Sequence, residues 1–104
     1  MEYLVDFTIA IPDGTPAPDV DRRSHAEADR VDALAKEGHV LRIWRPQPED
    51  GWRAIGLYRA DDEAQLNAIL ESLPLYAWMT IEVQALATHP NDPAQPTTEG
   101  EARA

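Results

Sequence analysis

The chain opens with a regular alternation of hydrophobic and polar positions. Large hydrophobic side chains fall at every second position, namely Tyr3, Val5, Phe7, Ile9 and Ile11. A period of two is typical of a strand with one buried face. The alternation stops at Pro12-Asp13-Gly14, which predicts a turn.

The next segment has the pattern of a helix. Pro16, Pro18 and Asp19 favour a helix start, and Gly38 follows Glu37 as a stop signal. Successive spacings of four, three, four and three residues place one set of side chains on a single face, namely Val20, Ser24, Glu27, Val31 and Leu34. The sequence therefore predicts one carboxylate, Glu27, on a helix face that otherwise turns inward.

The remaining elements are two strands, a second helix and a final strand. The segments 39–45 and 52–59 are rich in β-prone residues, and the loop 46–51 predicts a hairpin between them. Asp61 or Asp62 can cap a helix whose hydrophobic stripe is formed by Leu66, Ile69, Leu70 and Leu73, before Pro74. Alternation then returns at Met79, Ile81, Val83 and Ala85.

This β-α-β-β-α-β order predicts an α+β domain in which two helices cover one face of a four-stranded antiparallel sheet. The middle strands carry large hydrophobic residues at both parities, Leu41 and Ile43 against Val40 and Trp44. The other sheet face therefore needs a cover, and we expect a homodimer or a larger ring.

Composition limits the function classes. With 104 residues we expect one domain at 1–90 and a mobile, acidic and proline-containing tail at 91–104. A formal net charge of −10 argues against binding nucleic acid or an anionic membrane surface. Cysteine is absent, the first residues lack a signal-peptide pattern, and no stretch approaches the roughly 20 apolar residues of a membrane span. We expect a cytoplasmic protein.

Glu27 is the leading candidate for chemistry. Burial disfavours a charged carboxylate and raises its pKa, which is the profile of a general base. The alternative is that the helix is rotated slightly and Glu27 reaches solvent at the edge of the stripe. Arg42 shares strand parity with Val40 and Trp44, so it is expected to face inward, where an arginine implies an anionic ligand or a buried acid.

Other candidates have similarly open interpretations. Arg45 has the opposite parity to Arg42, and either arginine could instead be an exposed cation paired with a surface acid. Tyr76 and Trp78 could form the wall of a pocket or belong to the core. The three histidines, His25, His39 and His89, lie on different elements without metal-ligand spacing, so we expect no metal site. An enzyme with these residues would be a cofactor-free acid–base catalyst.

Several short segments occur in an order that carries a family resemblance. They are the opening strand up to Pro12, Glu37-Gly38, Ile43-Trp44-Arg45, Leu73-Pro74-Leu75, and Met79-Thr80-Ile81-Glu82-Val83 leading to His89-Pro90. Across residues 1–91 the chain thereby resembles the muconolactone Δ-isomerase family. It departs from the family pattern at Arg42, where the family carries a histidine, and in a longer hairpin loop.

The resemblance implies a ferredoxin-like dimeric α+β barrel, commonly assembled into decamers. It implies a cofactor-free isomerase that shifts a double bond in a small, carboxylate-bearing lactone of the 3-oxoadipate route of aromatic catabolism. Glu27 matches the family's proton-shuttling glutamate. The substrate carboxylate would be bound by Arg42 or Arg45, and the pocket walls would be Trp44, Tyr76 and Trp78.

Two other functions are compatible with the same fold. One is a cofactor-free monooxygenase or cyclase that acts on a larger aromatic substrate. The other is a non-catalytic binding or assembly protein, in which Glu27 would be paired internally, for example with Arg42, and no ligand-sized cavity would exist.

Overall fold

The computed structural model describes residues 1–49 and 51–94, and the predicted order of elements is confirmed. The elements are β1 (Glu2–Ile9), α1 (Ala17–Lys36), β2 (Val40–Trp44), β3 (Trp52–Arg59), α2 (Glu63–Glu71) and β4 (Met79–Leu86), with a 3-10 turn at Tyr76–Trp78. Residues 95–104 of the predicted tail lie outside the described residues. The domain boundary near residue 90 stays a prediction.

The four strands form one antiparallel sheet in the order β2-β3-β1-β4. The alternating residues of β1 are its buried side: Tyr3, Val5 and Phe7 are at most 4 % exposed. They form one core with residues of both helices, namely Leu34, Leu66, Ile69 and Leu70. The α+β prediction, with both helices on one sheet face, is therefore confirmed.

Local signals account for the ends of the helices. Gly38 follows α1 with a φ of +85°, a conformation that costs glycine little and other residues more. Of the two predicted caps of α2, Asp62 is the one used, because its Oδ1 accepts a hydrogen bond from the Gln65 backbone at 2.8 Å. No helix in the described part of the chain is long and apolar enough to cross a bilayer.

The pairing of β2 with β3 contains an irregularity that moves two predicted site residues. Val40 lies opposite Tyr58, whereas Arg42 lies opposite Leu57, so two steps along β2 correspond to one step along β3. Successive residues of a strand point to opposite faces, and Arg42 and Trp44 therefore leave the face of the buried Val40. The prediction that Arg42 faces the same side as Val40 is wrong, because parity counting assumes a regular ladder.

The sheet face away from the helices keeps hydrophobic surface. Leu4, Ile55 and Leu57 are half-buried there, and Trp44 is 39 % exposed. This distribution is compatible with a second copy packing on the sheet, and a homodimer or decamer stays a prediction.

Candidate active site

Glu27 lies in the middle of α1, on the stripe that packs against the sheet. Val31, one helical turn further along, packs against the core, and Leu34, two turns along, is fully buried. Glu27 is half-buried, and its Oε1 accepts a hydrogen bond from the backbone N–H of Leu75 at 3.0 Å. The carboxylate is therefore held against the segment that follows α2 and is not extended into solvent.

This environment changes the proton affinity of the carboxylate. Burial raises the pKa of Glu27 above its ordinary value, and the hydrogen bond from Leu75 offsets part of that rise. Burial also raises the pKa of Tyr58, and the negative charge of Glu27 raises it further, so the phenol stays protonated near the carboxylate. A carboxylate with a raised pKa is a stronger base than one on the surface.

A cavity of about 520 Å³ lies beside Glu27. Ser24, one turn before Glu27 on α1, and Leu75, which donates the hydrogen bond to it, both line this space; the other lining residues are Ile9, Arg45, Glu49, Gly51, Trp52 and Arg53. Glu27 itself is not among the lining residues, and it adjoins the cavity through its contact with Leu75. The volume is in the range of about 300–1,000 Å³ that small-molecule sites occupy.

Two cations reach the cavity from the β2–β3 hairpin, and they differ in their partners. Arg53 Nη2 contacts both carboxylate oxygens of Asp6, at 3.2 and 3.0 Å. Arg45 Nη1 is 3.4 Å from Glu49 Oε1. Because the Arg45 contact is the longer and single one, Arg45 is the cation that can more readily exchange its partner for an anionic ligand.

The other predicted binding residues do not line this cavity. Arg42 and Trp44 lie on the opposite face of the sheet, where the guanidinium carbon of Arg42 is 5.0 Å from the Trp44 ring centroid. Tyr76 is exposed, and Trp78 is half-buried beneath Arg23, at 4.9 Å. Among the predicted binding residues, Arg45 is thus the one that the described structure brings to the cavity beside Glu27. Roles in substrate binding for the other four stay predictions.

Sequence reasoning missed the parts played by Ser24 and Leu75. Ser24 gave a usable signal, because it lies on the same helical stripe as Glu27. Leu75 gave none, because it acts through a backbone N–H that every residue except proline has. Among residues 1–49 and 51–94, no group of three or more His, Cys, Asp or Glu side chains is arranged to hold a metal ion.

Comparison with known proteins places the chain in a family. The family model described as muconolactone delta-isomerase matches residues 1–92. Muconolactone Delta-isomerase 1 of Acinetobacter lwoffii is 33 % identical over 91 residues, which cover 88 % of this chain and 93 % of the relative. Muconolactone Delta-isomerase of Acinetobacter baylyi is 29 % identical over 91 residues, which again cover 88 % of this chain and 93 % of the relative.

A solved structure agrees with the fold. The crystal structure of a muconolactone isomerase superposes with a TM-score of 0.83 at 22 % identity, covering 94 % of this chain and all of the other. The ferredoxin-like arrangement expected from the resemblance is therefore confirmed. With the family model and the relatives in agreement, this chain is an isomerase that belongs to the muconolactone delta-isomerase family.

Proposed function

We propose that this chain shifts a double bond in a small unsaturated lactone that bears a carboxylate, of the muconolactone type, with Glu27 carrying the proton. The observation that carries the proposal is the half-buried Glu27 carboxylate, fixed by the backbone of Leu75, a residue that lines a ligand-sized cavity. Muconolactone as the substrate is taken from the names of the relatives. With muconolactone as the substrate, the reaction would belong to the 3-oxoadipate route.

The proton moves between two carbons of the lactone ring. The Glu27 carboxylate removes the proton from the ring carbon beside the ring oxygen, and the electron pair of that C–H bond spreads through the existing double bond to the carbonyl oxygen. The resulting dienolate takes the same proton back at the carbon α to the carbonyl. Glu27 returns to its ionised form, so the reaction consumes no co-reactant.

The site suits a single base for both steps. The Leu75 N–H fixes one carboxylate oxygen, which orients the other, and burial keeps the pKa raised. A raised pKa reduces the difference in proton affinity between the base and the carbon acid. Arg45, at the hairpin end of the cavity, binds the substrate carboxylate and so contributes to the affinity for the substrate.

The decisive experiment is an ultraviolet assay of the purified full chain with muconolactone and a panel of related butenolides. Glu27→Gln keeps an oxygen that can accept the Leu75 hydrogen bond but cannot take up the proton, so kcat should fall by about 10²- to 10⁴-fold. Glu71→Gln, the same change at an exposed position of α2, is the matched control and should keep the wild-type rate.

Each contrary result has a defined meaning. A Glu27→Gln variant that turns over muconolactone at the wild-type rate would refute the role of Glu27. A wild-type chain that is inactive on muconolactone and on every butenolide would refute the substrate class. Oxygen consumption with a phenolic substrate in the same preparation would instead favour the monooxygenase alternative.

The non-catalytic alternative is not favoured by the site. It requires an internal partner such as Arg42 for Glu27 and the absence of a ligand-sized space. Arg42 instead lies across the sheet from Glu27, and the cavity beside Glu27 measures about 520 Å³.

A further inference from the structure

Ser24 has a buried hydroxyl for which the described structure provides no partner. Its Oγ is shielded from solvent and makes no hydrogen bond with residues 1–49 or 51–94. Ser24 also lines the cavity beside Glu27, and the two residues are three positions apart on α1. Ser24 therefore borders the cavity, which Glu27 adjoins through its contact with Leu75.

An unpaired hydroxyl in this position is unusual. Buried polar atoms in proteins are nearly always hydrogen-bonded, and a serine within a helix commonly donates to a carbonyl of the preceding turn. Ser24 makes no such bond. It does not orient Glu27 either, because the described contact of that carboxylate is with the backbone of Leu75. A bound oxygen acceptor in the cavity is one kind of partner that would satisfy the hydroxyl.

We propose that the Ser24 hydroxyl donates a hydrogen bond to the carbonyl oxygen of the lactone, where the negative charge of the dienolate collects. This inference rests on the proposed function and adds the donor that the dienolate requires. Such a donor acts most strongly in the transition state, because the charge on the oxygen is larger there than in the bound substrate.

The spacing of the groups fits the substrate. Side chains three positions apart on a helix have Cβ atoms about 5–6 Å apart, which suits a base above the lactone ring and a donor at the ring edge. Muconolactone carries its carbonyl oxygen and its carboxymethyl group on opposite sides of the ring oxygen. Ser24 at the helix end of the cavity and Arg45 at the hairpin end can therefore bind these two groups at once.

A nucleophilic role for Ser24 has no support in the site. The neighbouring His25 is exposed and no hydrogen bond joins it to Ser24. The proton chemistry of the isomerisation also needs no covalent intermediate.

The test compares three variants by steady-state kinetics with muconolactone and by thermal unfolding. Ser24→Ala should lower kcat by about 10²- to 10³-fold, with a smaller change in KM, as expected for loss of a donor to a developing oxyanion. Ser24→Thr keeps a hydroxyl and should recover most of that rate. Thr80→Ala, which removes an exposed hydroxyl on β4, is the control and should match the wild type.

Thermal unfolding separates a ligand contact from a structural role. Removing a buried hydroxyl that has no partner in the protein should leave the Tm of Ser24→Ala unchanged or raise it. A Tm that falls together with kcat, without recovery in Ser24→Thr, would overturn the proposal. Wild-type kinetics in Ser24→Ala would also overturn it and leave the role of Glu27 intact. An inactive wild-type chain would overturn both this inference and the proposed function.

Discussion

Arg45 is the proposed binding residue for the substrate carboxylate, and the change Arg45→Gln tests that role. Arg45 Nη1 lies 3.4 Å from Glu49 Oε1, and 71 % and 58 % of the two side chains are exposed. An ion pair this exposed contributes about 0–1 kcal/mol, so Glu49 competes only weakly with a ligand. A hydrogen bond between charged groups contributes about 1.5–3 kcal/mol. Arg45→Gln should therefore raise KM by roughly 10- to 150-fold.

The kcat of Arg45→Gln should change little, because the carboxymethyl group has the same charge in the bound substrate and in the transition state. Initial rates over a range of muconolactone concentrations measure both constants. Glu49→Gln frees Arg45 and should lower KM by up to about fivefold. Arg22→Gln, which breaks an exposed pair with Asp19 outside the cavity, is the control. An unchanged KM in Arg45→Gln, or a loss confined to kcat, would refute this role.

The remaining predictions concern pH and packing. Because Glu27, as the proposed base, must be ionised to remove a proton and burial raises its pKa, kcat/KM should fall on acidification with a midpoint above 4.5, the ordinary value for glutamate. A midpoint at or below that value would contradict the proposed role of the half-buried Glu27. The raised pKa stabilises the folded state below the pKa that Glu27 has in the unfolded chain, and this stabilisation is lost as pH rises through the folded-state pKa. Urea titrations should therefore show the free energy of unfolding of Glu27→Gln rising relative to that of the wild type toward neutral pH. In Gly56→Ala the new Cβ would lie 2.5 Å from Tyr58 Cε1, so the free energy of unfolding in urea should fall by about 1–3 kcal/mol. Adding Tyr58→Leu should recover part of this loss. An unchanged free energy of unfolding in Gly56→Ala would contradict the close packing of Gly56 against Tyr58.

The element order and the inward position of Glu27 could be predicted from the sequence because both depend on neighbours along the chain. Period-two alternation marked β1, and the spacing of Val31 and Leu34 from Glu27 defined the buried face of α1. Gly38 likewise marked a helix end through its own conformational freedom. These features need no knowledge of what packs against them.

The composition of the site depended on contacts between distant segments. The irregular pairing of β2 with β3 turned Arg42 to the other sheet face, and nothing in the local sequence of β2 reveals the register of its partner strand. The donor to Glu27 comes from a backbone 48 positions away, and the cavity takes its lining from β1, α1, the hairpin and the segment after α2. Side-chain periodicity thus determined the inward faces of the regular elements β1 and α1. Only tertiary packing decided the face of Arg42 and which inward residues meet, because backbone donors and strand registers have no residue-type signature.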